Sequence, residues 1–75
     1  MKMKTKTMNT YNIYANGNES TILYHSIAED EQQVRELAAA RGIILNNMTI
    51  ELERTDARNQ LGKSYAAVIE DSLVH

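Results

Sequence analysis

Asn16-Gly17 stands between two stretches, Met8 to Ala15 and Ser20 to His25, that are rich in tyrosine, isoleucine, leucine and threonine. An Asn-Gly pair tolerates the positive φ that both central positions of a type I′ turn require, so the dipeptide predicts a β-hairpin. Tyr11 and Ile13 are spaced by two with no helical period, which reads as a strand, and Ser20 to His25 returns as its partner.

The turn also sorts side chains into faces. A two-residue loop, with Ala15 opposite Asn18, and a four-residue loop, with Ala15 opposite Ser20, give the same parity. Both place Tyr11, Ile13, Ala15, Ser20, Ile22 and Tyr24 on one side, the better core. Met8, Thr10, Asn12, Tyr14, Thr21, Leu23 and His25 fall on the other.

Ser26-Ile27-Ala28-Glu29 has the spacing of a capping box and predicts a helix over about Ala28 to Arg41. Val34, Leu37, Ala38 and Arg41 recur on one stripe of it, and Gly42 followed by Ile43 suits a left-handed C-terminal stop with an apolar closing contact. Met48 to Glu53 alternates apolar and polar, predicting a half-buried strand with Met48, Ile50 and Leu52 inward. Thr49, Glu51 and Glu53 then share the face of Tyr14 and His25.

Two readings fit the last third. Thr55-Asp56 can cap a helix whose stripe is Ala57, Leu61, Tyr65, Val68, Ile69 and Leu73, and this is the preferred expectation. The alternative is a loop over Asn59 to Lys63 followed by a fourth strand over Ser64 to Glu70, with Tyr65, Ala67 and Ile69 on one face.

The expected fold is a small two-layer α+β domain over residues 8–75, preceded by a disordered basic leader at 1–7. A helical crossover makes the second and third strands parallel and leaves the first between them, in order 2-1-3. If both helices lie on one face, the other sheet face stays open. It would then carry Tyr14, Leu23 and His25 flanked by Glu51 and Glu53, a mixed apolar and polar patch of the kind partners use. A terminal helix packed on that face would instead cover it.

Charge and composition restrict the chemistry. Of 75 residues, 8 are basic and 10 acidic, and Lys2, Lys4 and Lys6 hold three of the basic ones near the start. Residues 9–75 therefore carry five basic against ten acidic side chains, a net charge of −5. An acidic body disfavours tracking of a phosphate backbone, which depends on clustered Lys and Arg. No apolar stretch follows the lysines as an export signal requires, and no apolar run approaches membrane-spanning length, so export and membrane spanning are set aside and a cytoplasmic location is expected.

Three glycines, at 17, 42 and 62, cannot build the phosphate-cradling loops of nucleotide-binding motifs. Gly62-Lys63-Ser64 imitates the tail of one, but Ala57 stands where its first glycine belongs. The chain has no cysteine nucleophile. His25 with Glu51 and Glu53 supplies too few convergent ligands for a first-row metal, so no metal, cofactor or catalytic residue is expected. Glu29-Asp30-Glu31 lacks calcium-loop spacing and suits the first turn of the helix.

What remains is a small non-catalytic protein-binding module, acting through its open sheet face or an edge strand on a protein partner or on a second copy of itself. An adaptor, a regulatory subunit or an inhibitor, of the kind that phages and mobile elements carry, fits this size and acidity. The alternative is single-stranded nucleic-acid binding through Tyr14 and the N-terminal lysines.

Overall fold

A computed structural model describes residues 7–72, apart from the side chains of Asn18 and Glu19. The basic leader expected at 1–7 lies outside the described residues except for Thr7, which is exposed. The elements are β1 (Asn9–Ala15), β2 (Asn18–Ala28), α1 (Glu31–Ala40), β3 (Met48–Arg54) and β4 (Val68–Asp71). They form an α+β domain in which one helix packs on a four-stranded sheet of order β3-β1-β2-β4. All three pairings are antiparallel, so β2 and β3 are parallel with β1 between them, as the helical crossover predicts.

β4 replaces the helix expected at the C-terminal end. Residues 57–67 cross the end of the sheet from β3 to the far side of β2, and β4 then pairs with β2. The apolar stripe at helical spacing had two solutions, and burial selects the strand: Ile69 sits opposite Ser26 and is 1% exposed within the core. Arg58 and Ser64 form an isolated antiparallel bridge in the connection, and Asn59 Oδ1 accepts from the amides of Leu61 and Lys63. These local bonds satisfy the backbone without a helix.

The hairpin has its two-residue loop, with Ala15 opposite Asn18, but not the expected turn. Asn16 has no positive φ while Gly17 has φ +83, which excludes the primed types I′ and II′. Unprimed turns splay the flanking strands, and the ladder breaks at once: Tyr14 pairs with Ile22 and Ile13 with Tyr24. The irregularities add four residues to β2, an even number, so the predicted pairing of faces survives below the turn. Ile13 and Tyr24 share the core side. Ile22 leaves it, because it lies opposite Tyr14.

The core holds Tyr11, Ile13, Ala28, Val34, Ala38 and Ile69, with Tyr24, Leu37, Ile43, Leu45, Met48 and Ile50 packed around them. The principal contacts of α1 are with β2 and β4. Leu52 therefore does not become the core residue its parity promised, and it is 51% exposed.

The helix starts later than Ser26-Glu29 suggested. Ser26 is held in the sheet between Tyr11 and Ile69, and its hydroxyl donates to the Val68 carbonyl at 2.8 Å. Asp30 caps α1 instead, accepting from the Gln33 amide at 2.9 Å, while Gln33 Oε1 accepts from the Glu29 amide at 2.7 Å. The C-terminal stop is as expected. Gly42, at φ +76, donates its amide to the Ala39 carbonyl and Ile43 donates to Ala38, the paired bonds of a Schellman motif.

Candidate functional site

Because α1 occupies the face of Tyr11, Ile13 and Ile69, the opposite face of the sheet is free of any described helix. Its centre is a polar row that crosses all four strands: Glu51, Asn12, His25 and Glu70 stand side by side. On one side of this row Thr49, Tyr14 and Ile22 form a second row, and on the other side Thr10, Ile27 and Val68 form a third. Tyr14, Ile22, Leu23, Ile27 and Val68 are half-buried, while His25, Glu51 and Glu70 are exposed.

Two hydrogen bonds fix the polar groups. The Tyr14 hydroxyl donates to Glu51 Oε1 at 2.8 Å, tying β1 to β3. His25 Nδ1 lies 2.9 Å from Asn12 Oδ1, tying β1 to β2. Asn12 is only 6% exposed, so this bond also satisfies a buried amide.

The five residues singled out from sequence divide as follows. Tyr14, His25 and Glu51 belong to the connected centre of the face. Leu23 falls at the β2 bulge, where it and Ile22 share the position opposite Tyr14. Its carbonyl accepts from the Ser72 amide at 3.0 Å, so the bulged residue is tied to the residue that follows β4. Glu53 lies at an irregularity of β3 and has no residue of β1 opposite it; Arg54 takes the place across from Thr10. The face thus carries a guanidinium-bearing residue where alternation predicted a carboxylate.

Alternation in the sequence does not predict five members of the face: Ile22, Ile27, Arg54, Val68 and Glu70. In the sequence Ile27 falls within the predicted capping box, just ahead of the helix expected from Ala28, while Val68 belongs to the C-terminal helical stripe and Glu70 flanks it. The fourth-strand alternative held the signal that could have found the last two, since Ile69 inward makes its neighbours outward.

The arrangement offers two carboxylates, one imidazole and one phenol set among branched aliphatic side chains. Glu51 is separated from His25 by a whole strand, about 10 Å at ordinary strand spacing. Among the described residues no group of three or more histidines and acids comes together to hold a metal ion. No described helix is long and apolar enough to cross a membrane. Comparison with protein-family models, curated proteins and solved structures gives no match.

Proposed function

We propose that this chain is a small, non-catalytic, cytoplasmic protein-binding module, an adaptor, regulatory subunit or inhibitor, whose working surface is the open sheet face. One observation carries the reading: Tyr14, Ile22, Leu23, Ile27 and Val68 lie on the face away from α1, around the row that includes His25 and Glu70. Partner surfaces mix apolar and aromatic anchors with polar groups in this way, and here the anchors flank a central polar row. Glu51 and Glu70, at the two ends of that row, select a partner presenting basic side chains. The hydrogen bonds of Tyr14 to Glu51 and of His25 to Asn12 are made within the chain, so these polar groups are pre-oriented and less ordering entropy is lost on docking.

The test is capture of a host protein by the wild type and by Tyr14→Arg and Leu23→Glu. Both variants should lose the captured partner while stability in urea changes by no more than about 1 kcal/mol, because neither side chain is fully buried. Undiminished capture by both variants would overturn the proposed surface.

A further inference from the structure

The two edges of the sheet are unlike. β4 is a four-residue strand ending in Glu70-Asp71, and the Arg41 guanidinium donates to its Ile69 carbonyl. Short length, charge and an occupied carbonyl are the ordinary means of keeping an edge from pairing. β3 has seven residues, and no described strand lies on its outer side. Its helix-side face is also incompletely covered: α1 packs over β2 and β4, so Met48 and Ile50 are half-buried and Leu52 is 51% exposed.

We propose that β3 pairs antiparallel with β3 of a second copy, centred on Ile50, to make one continuous eight-stranded sheet across a two-fold axis. This names a partner within the protein-binding reading and rests on it. The register follows from the sequence. Side chains alternate with period two, so residues of one face must meet residues of that face, and the two-fold must pass through a residue. Centring on Glu51 places that carboxylate against its own copy. Centring on Leu52 places Glu51 against Glu53, and like charges directly opposite are destabilising. Centring on Thr49 sets Leu52 beyond the end of the partner strand.

Centring on Met48, Glu53 or Arg54 pairs at most three residues of each seven-residue strand, so Ile50 is the remaining centre. It pairs Ile50 with itself, Met48 with Leu52 twice, and Thr49 with Glu51 twice. No carboxylates meet, and the half-exposed Leu52 gains an apolar neighbour from the other copy. The strand is thus self-complementary in one register.

The absence of native cysteine makes the register directly readable by engineered disulfides. Sedimentation across a dilution series should show the wild type passing from dimer to monomer, and Leu52→Asp should raise the dissociation constant at least tenfold, roughly, with an unchanged circular dichroism spectrum. On mild oxidation, a chain carrying both Met48→Cys and Leu52→Cys should cross-link between copies, whereas Leu52→Cys alone should not. A wild type that stays monomeric throughout, or cross-linking of Leu52→Cys alone, overturns the proposal. If Leu52→Asp unfolds, the cysteine pair still decides.

The outcomes separate the two readings. A monomeric wild type that loses its host partner on Tyr14→Arg overturns the dimer only. A wild-type dimer whose capture of host protein ignores Tyr14→Arg overturns the open-face surface only.

Discussion

Asn9 holds two turns with one side chain. Its Nδ2 donates to the Glu29 carbonyl at 3.1 Å, at the junction of β2 and α1, and its Oδ1 accepts from the Asp56 amide at 3.1 Å, where β3 ends. Asp56 has φ +56, a left-handed conformation that costs a non-glycine residue about 1 kcal/mol and needs neighbours to hold it. Its carboxylate, 2.7 Å from Arg58 Nε, is one of them and the Asn9 acceptor is another. Asn9→Ala removes both bonds and should cost about 1–2 kcal/mol in urea denaturation; a change below about 0.5 kcal/mol would show that the turns hold themselves. Gly42 is a contrasting case, since a Cβ there would meet nothing within 4 Å. The expected loss of about 1 kcal/mol for Gly42→Ala is therefore a backbone effect of φ +76 alone.

At the scale of elements, the sequence was legible where a local signal had one solution and misleading where it had two. The stop at Gly42 and Ile43 needed only the chain around it, and the structure has it. The Ser26 and Glu29 spacing predicts the start of the helix, whereas the structure caps it four residues later with Asp30 and Gln33. The choice fell to long-range pairing, because Ser26 is wanted in the ladder between Tyr11 and Ile69. Asp30→Ala should accordingly cost about 1 kcal/mol through loss of the cap. Ser26→Ala should leave α1 in place yet destabilise through the stranded Val68 carbonyl. The C-terminal segment follows the same logic. Its stripe of apolar residues suited a free helix, but the outer side of β2 offered backbone partners, which no local pattern records. Ile69→Ala tests this: as a buried β4 residue it should cost about 2–4 kcal/mol, whereas a surface position would lose less than about 1. Of the candidate site, parity alone located Tyr14, His25 and Glu51. The irregularities at Leu23 and Glu53 depend on turn hand and strand twist, and so lay beyond a count of alternation.

For the whole molecule, the placement of charge is the argument for proposing a protein partner over a nucleic acid, since Tyr14 would suit either. An aromatic on the face of a central strand is a stacking platform for a base only if the phosphates beside it find cations. Here Glu51 accepts from the Tyr14 hydroxyl and Glu70 lies opposite His25, so the row beside the aromatic is acidic at both ends. Arg54 sits at the far side of the face, opposite Thr10, and cannot offset both. A two-fold through Ile50 would stand perpendicular to the sheet and bring both open faces to the same side, doubling that carboxylate density. Fluorescence anisotropy with random single-stranded oligonucleotides should thus give weak binding with a shallow salt slope, of about the size three N-terminal lysines can supply. Glu51→Gln together with Glu70→Gln should strengthen it if the sheet face is near the strand. Tight wild-type binding that falls steeply with salt and is lost on Tyr14→Ala would reverse the assignment, and make the face a nucleic-acid surface despite its carboxylates.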